Sequence, residues 1–295
     1  MTYTWTAAHI FYSGSINLLI TECVAPFVQQ YAMLLDNEAP FFFIRYPEGG
    51  DHVRLRMNTT CPEDTMRHLH ACASRFFHAH PAPAAKRRHD WLQDESVYRM
   101  PYEPEVIRYG NDYTLQWAER HFVVSSKVVM EWLCNTRNKP ASMQVQAIQQ
   151  HMLLLKSTGR PPEELLMICD YFVEDWLKVF YPGMKNAEEK ERWLSAFKTT
   201  YDRQPQLAPA VADFWYSAEE ESISPSLQYY LSENKKIMDA YDGSRLTFQQ
   251  LTVAIASMMH MTHNRLGIEN PEEAYIMYCT RACLAYIFSQ HRLFL

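Results

Sequence analysis

Glycine is scarce: 8 of 295 residues, well under half of the ~7% of average usage. Neither GxGxxG nor GxxxxGK[ST] occurs, so architectures that cradle phosphates on Gly-rich turns are disfavoured. Excess positive charge is also missing. Lys and Arg number 28 against 34 Asp and Glu, for a net charge of −6, which leaves no overall field to hold a phosphate backbone, and direct nucleic-acid binding is not expected. The cysteines, at 23, 61, 72, 134, 169, 279 and 283, contain no CxxC pair and are odd in number. They fit a disulfide framework poorly and read as reduced thiols. No run of about 18 apolar residues predicts membrane insertion. Met1 to Ile20 holds no Lys or Arg and no cleavable apolar core, so a soluble cytoplasmic protein is the expectation. A GxSxG elbow and HExxH are likewise absent, which removes local support for a serine hydrolase and most support for a metal.

What is present is enough for a substantial core. Hydrophobic residues make up 47% and charged residues 21%, which excludes disorder and suits one large domain or two small ones. Sixteen Pro, fifteen Met, 18 Tyr, 15 Phe and 7 Trp suggest helices packed with bulky side chains.

Residues 1–110 read as mixed α and β. Trp5 to Tyr12 has strand composition. Ile16 to Leu35 is apolar at helical spacing, with Ser15 placed to cap it and Pro26 to kink it. Phe41 to Tyr46 and His52 to Met57, separated by Pro47-Glu48-Gly49-Gly50, predict a β-hairpin. Thr60 to His80 reads as helix and Ser96 to Pro101 as a short strand. The basic run at 86–89 reads as a solvated loop. From residue 111 on, helix follows helix: Asp112 to Leu133, Ser142 to Lys156, Pro162 to Phe180, Ala187 to Tyr201, Ser226 to Ala240, Thr247 to Asn264 and Pro271 to Gln290. Loop signals fall at 158–161, 181–183 and 242–244. The expected fold is α+β, helix-dominated, with a small N-terminal antiparallel sheet, as one unit over 1–295.

Three places carry candidate chemistry. Strand residues two apart share a face, so Arg54 and Arg56 point the same way with His52 beside them, and Arg45 sits on the partner strand. Paired guanidiniums suit an anion, although taken alone a solvent-facing charged strand accounts for them better. In Tyr102 to Gly110, Glu105 and Arg108 are i,i+3 neighbours able to pair, as ordinary surface ion pairs also do. In Met258 to Leu266, His260 emerges from an apolar helix with Asn264 one turn on, and His263 and Arg265 on other faces. Such a His serves as a base or as a satisfied core residue. His260 and His263 lack further metal ligands nearby in sequence. The acidic clusters at 188–191 and 219–221 read as solvated helix faces.

Taken together, WTAAHIFYSGSINLLITECVAPFV, FFFIRYPEGGDHVRLRM, YEPEVIRYG with AERHFVVSSKVVMEWL, and HMTHNRLG resemble the lantibiotic dehydratase C-terminal, or thiopeptide-type bacteriocin biosynthesis, family. The resemblance runs from about residue 4 to 290. It implies a stand-alone elimination subunit, a carbon-oxygen lyase that removes glutamate from O-glutamylated Ser or Thr of a ribosomal precursor peptide to leave dehydroalanine or dehydrobutyrine. The partners implied are that peptide and a separate tRNA-dependent glutamylation subunit. By the same match His260 is the base, while Arg54, Arg56, Glu105 and Arg108 complete the catalytic set. Arg45, His52, Asn264 and Arg265 are taken as substrate-binding. No metal or organic cofactor is implied, and self-association as a homodimer is left open. Asn111 stands where many members have a second Gly, a change expected to affect the aim of Arg108. Two further readings remain: a thiopeptide pyridine synthase of the same fold, joining two dehydroalanines by a formal [4+2] cycloaddition, and a non-catalytic peptide-binding partner.

Overall fold

Alternation of apolar residues builds the sheet. In the computed structural model, which describes residues 4–34, 40–83, 91–136, 142–180 and 187–291, β1 (Thr4–Phe11), β2 (Phe41–Tyr46), β3 (His52–Thr59) and β4 (Ser96–Met100) pair in the order β2-β3-β1-β4. Every pairing is antiparallel. Gly49 and Gly50 take φ of 77° and 113° in the β2–β3 turn, a region open to glycine at little cost. The basic run at 86–89 and the loop signal at 181–183 lie outside the described residues. The chain groups into two units, Met1–Pro104 with Ser125–Pro140, and Glu105–Val124 with Ala141–Leu295. The fold class is α+β and helix-dominated, as the patterning predicts.

In the first unit Val53 and Leu55 are fully buried on one sheet face, with Ile10 and Phe43 beside them. Helices α2 (Ala25–Leu34) and α3 (Pro62–Ala79) cover that face. Tyr31 of α2, Thr59 of β3 and Thr65 of α3 join their hydroxyls there, with Thr65 Oγ1 2.9 Å from both partners. Ahead of α2, the predicted helix at 16–35 begins as α1 (Ile16–Leu19), capped by Ser15 Oγ accepting from Leu18 N–H. It then widens into a π-helical turn, Ile20–Val24, in which Ala25 N–H bonds to the Ile20 carbonyl. The extra residue in the turn makes room where Pro26 lacks an N–H and crowds the preceding carbonyls, so the proline produces a π-turn in place of a simple kink. On β2, the Phe43 N–H donates to Ser126 Oγ at 3.1 Å, which blunts that edge strand with a helix.

The second unit is helical: the N-terminal half of α4 (Asp112–Thr136), α5 (Met143–Ser157), α6 (Pro162–Phe180), α7 (Ala187–Asp202), α8 (Leu207–Glu219), α9 (Pro225–Asp242), α10 (Phe248–Leu266) and α11 (Asn270–His291). Ser142 caps α5, and Thr247 with Gln250 forms a capping box on α10. The helix α8 was not expected from sequence. Pro209 lies in its first turn, where a missing N–H costs nothing because no earlier carbonyl waits for it. Helix α10 ends at Gly267, φ 84°, whose N–H and that of Ile268 both donate to the His263 carbonyl at 3.0 Å. This left-handed close turns the chain into α11 within three residues. Among the described residues no helix is long and apolar enough to cross a membrane.

Two measurements test this packing. Leu55→Ala, in the centre of β3, is expected to lower unfolding free energy by roughly 2–5 kcal/mol in urea titrations. His121 and His151 are buried in the second unit, and burial pushes their pKa values down to about 4 and about 3. A depressed histidine stabilises fully above its unfolded pKa of about 6.5 and loses that contribution as pH falls toward the folded value. Unfolding free energy is therefore expected to drop between about pH 7 and about pH 5, and His151→Gln to flatten that slope.

Candidate functional site

Strand register places the predicted arginines. Arg54 lies opposite His9 and Ile44, Arg56 opposite Ala7 and Phe42, and His52 opposite Phe11 and Tyr46. These residues share the sheet face away from α2 and α3, so the same-face expectation for His52, Arg54 and Arg56 holds. His52 Nδ1–H donates to the Gly50 carbonyl at 2.7 Å, which leaves its Nε2 to accept from Arg54 Nε–H at 3.2 Å. The Arg54 guanidinium lies over the Tyr46 ring, 3.3 Å from its centroid. Arg56 sits 5.9 Å from the Phe42 ring and 5.7 Å from Tyr102.

This face is electrostatically unfinished. Arg56 is 7% exposed, and its Nε and Nη1 have no hydrogen-bond partner among the described residues. Burial, then Arg54, pushes its pKa down to about 10, still far above neutrality. A buried cation with unpaired N–H groups is costly, and a bound carboxylate would relieve that cost through charge-assisted bonds. Two histidines below it stay neutral. His9 stacks on His52 with ring centroids 4.9 Å apart. Burial, followed by His52 and the two arginines, lowers His9 to about 3. Burial lowers His52 to about 4, with the Gly50 carbonyl opposing and the arginines assisting.

Arg45 does not join this face. It pairs across the hairpin with Val53, hence faces the opposite side of the sheet, and its Nη2 donates to Asn17 Oδ1 at 2.7 Å. Burial pushes its pKa down to about 10. A one-residue offset in register separates it from Arg54 and Arg56.

In the second unit Glu105 and Arg108 pair as their spacing predicts, Nη1 to Oε2 at 3.1 Å, with both side chains exposed. The turn that pairs them is a 3-10 helix, Val106–Tyr109, ended by Gly110 at φ 109°. A Cβ on Gly110 would lie 2.6 Å from Thr114 Oγ1, so both backbone angle and space require glycine here. Asn111 Oδ1 accepts from the N–H groups of Tyr113 and Thr114 at 2.9 and 3.1 Å. Asparagine at 111 thus caps α4.

His260 is the centre of a second cluster. Its Nδ1 lies 3.0 and 2.9 Å from the two carboxylate oxygens of Glu273, and His263 Nδ1 is 2.9 Å from the same Oε2. The Glu273 and His263 side chains are fully buried, whereas His260 keeps 15% exposure. Trp176 of α6 packs on the His260 ring at 4.6 Å. Burial, then the charges of Arg108 and Arg265, lowers His260 to about 3, so the ring is neutral at physiological pH. Burial likewise holds His263 well below its ordinary value and acts on the Glu273 carboxyl in the raising direction. A ring N–H donating to Glu273 would act in the opposite sense, because hydrogen bonds to the charged form favour it.

Two sequence expectations change here, for His263 and Arg265. His263 turns to the same carboxylate as His260, because residues three apart on a helix are neighbours. Arg265 has no exposure. Its guanidinium lies 5.4 Å from the Phe122 ring, and it acts on His260 as a buried positive charge. Asn264 lies one turn beyond His260 and is half-buried. No group of three or more His, Cys, Asp or Glu among the described residues is arranged to hold a metal ion. Glu273, Trp176 and His9 were not singled out in the sequence. For Glu273 the available signal was an acidic residue in the first turn of a helix following a His-rich helix end.

No curated protein matches the sequence. The fold is similar to the pyridine synthase TbtD from thiomuracin biosynthesis, with 15% identity, a TM-score of 0.75, and coverage of 97% of this chain and 99% of that one. It is similar to TsrL, with 15% identity, a TM-score of 0.72, and coverage of 98% and 96%. It is also similar to the tRNA-dependent lantibiotic dehydratase MibB from Microbispora sp. 107891, with 15% identity and a TM-score of 0.67, where 98% of this chain covers 28% of that one. The sequence profile of the lantibiotic biosynthesis dehydratase C-terminal family matches residues 5–284, and the chain belongs to that family.

Proposed function

We propose that the protein is a glutamate-eliminating lyase acting on O-glutamylated Ser or Thr of a ribosomally made precursor peptide, supplied by a separate glutamylation subunit. The observation that carries this reading is the neutral, partly exposed imidazole of His260, held through Nδ1 by a buried carboxyl group and lying in the field of Arg108. A neutral imidazole with a free edge is suited to remove a weakly acidic Cα proton. Arg108 beside it favours the enolate-like charge that develops as the proton leaves, and Glu105 orients Arg108 through their ion pair. Arg54 and Arg56 take the role of binding the glutamyl carboxylates, for which the unpaired N–H groups of Arg56 are suited.

A second reading has its own support. The chain is coextensive with TbtD, the pyridine synthase from thiomuracin biosynthesis. Under that reading His260 moves protons during a cycloaddition, and the arginine face has no glutamate to bind.

The test is a synthetic peptide bearing O-glutamyl serine, followed by mass with the purified protein. Loss of glutamate to leave dehydroalanine is expected. His260→Ala is expected to slow it by about 10²–10⁴-fold, and Arg56→Ala to raise KM in a salt-dependent manner. An untouched glutamyl ester, together with conversion of a bis-dehydroalanine peptide to a pyridine, would establish the second reading. A bound but unchanged peptide in both assays would make the protein a non-catalytic partner.

A further inference from the structure

The carboxyl group at the centre of the His260 cluster belongs to none of the sequence motifs. Glu273 comes from the first turn of α11, thirteen residues after His260, and is brought there by the turn at Gly267. Its oxygen Oε2 lies 2.9 Å from the Nδ1 atoms of both His260 and His263. A neutral carboxylic acid puts an O–H hydrogen on one of these oxygens, whereas an ionised carboxylate can accept N–H at every one of the contacts. The first turn of a helix also favours a negative side chain. Each ring is held in plane by packing: His260 by Trp176, and His263 by His151 at 4.6 Å and Phe172 at 5.8 Å. His263 Nε2 is buried with no partner among the described residues, so the tautomer protonated on Nδ1 places the hydrogen where an acceptor exists.

We propose that Glu273 is the positioning residue of this site: its carboxylate accepts Nδ1–H from His260 and His263 together, and so keeps the His260 Nε2 lone pair free as the base. The inference rests on the elimination reading only for the identity of the proton that Nε2 takes. In that step the Cα–H bond breaks and the proton passes to Nε2. The electron pair forms the Cα–Cβ double bond, and the Cβ–O bond breaks with glutamate leaving as its carboxylate. His260 then becomes an imidazolium paired with Glu273, and His263 fixes the carboxylate from the other side. The groups acting on His260 are Glu273 from α11, Arg108 from the 3-10 turn, and His263 and Arg265 from its own helix; Trp176 from α6 brings no charge. The arginines oppose proton uptake and Glu273 favours it, so removing Glu273 leaves the new imidazolium facing like charges alone.

The test pairs a spectrum with kinetics. Two-bond ¹H–¹⁵N correlation of the full-length protein labelled at histidine is expected to show Nδ1–H and a bare Nε2 for both His260 and His263. In Glu273→Gln an NH2 donor takes the place of one of the two oxygens that His260 Nδ1 faces, so one of the two rings is expected to switch to Nε2–H. The same variant is expected to lose about 100-fold or more in kcat, the scale seen when an orienting carboxylate is replaced by its amide, with little change in KM. Glu273→Asp is expected to restore part of that loss. A folded Glu273→Gln protein with wild-type kcat and unchanged tautomers would overturn the inference, as would Nε2–H on His260 in the wild type. If the wild type releases no glutamate but Glu273→Gln still switches a ring, the positioning role stands and the elimination reading fails.

Discussion

A carboxyl group with no access to water organises the chemistry-bearing end of the second unit. Burying Glu273 is tolerable because two imidazole nitrogens meet it, and an unpaired charge in that position would be strongly destabilising. The constraint extends outward from there. Helix α10 must stop where His260 and His263 both reach the carboxylate, and the left-handed Gly267 stops it there. Helix α11 must begin within three residues so that its first turn, and not a later one, carries the acid. Trp176, Phe172 and His151 then have fixed rings to pack against. An otherwise ordinary stretch of helix thereby acquires one imidazole edge that is neutral, oriented and partly open to solvent.

The first unit applies the opposite device. There the buried charge is positive, and the face around it is incomplete. Arg54 is satisfied by the Tyr46 ring and by His52, and burial keeps both neighbouring histidines neutral, so they add no competing charge. Arg56 keeps its charge, buried, with two of its nitrogens unpaired among the described residues. A fold maintains such a cost where a ligand offsets it. Under the proposed function an acidic chain with a net charge of −6 carries a local receptor for anions, since local potential and net charge are separate quantities.

Much of this was legible in the sequence. The period-two alternation of His52 to Met57 set Arg54 and Arg56 on one face, and the i,i+3 spacing of Glu105 and Arg108 gave their pair. The helix end at HMTHNRLG marked His260. What was not legible depended on contacts between segments. Glu273 reads in sequence as a routine first-turn acid, and only the geometry of the Gly267 turn aims it at two histidines. Arg45 lies on the predicted partner strand, but its face depends on hairpin register, which the loop alone did not specify. Arg265 reads as a polar residue at a helix end, yet the Phe122 ring and a fully buried position make it a fixed internal charge. The helix at 207–219 escaped notice because Pro209 reads as a breaker unless its place in the first turn is known.

The central claim is that a Cα proton passes to an oriented imidazole as glutamate departs. Single-turnover elimination from an O-glutamyl serine peptide, compared with its Cα-deuterated counterpart, tests this most directly. The account predicts that deuterium slows glutamate release in the wild type. Identical single-turnover rates for the two peptides would contradict it, since the Cα–H bond would then not be breaking in the step that expels glutamate.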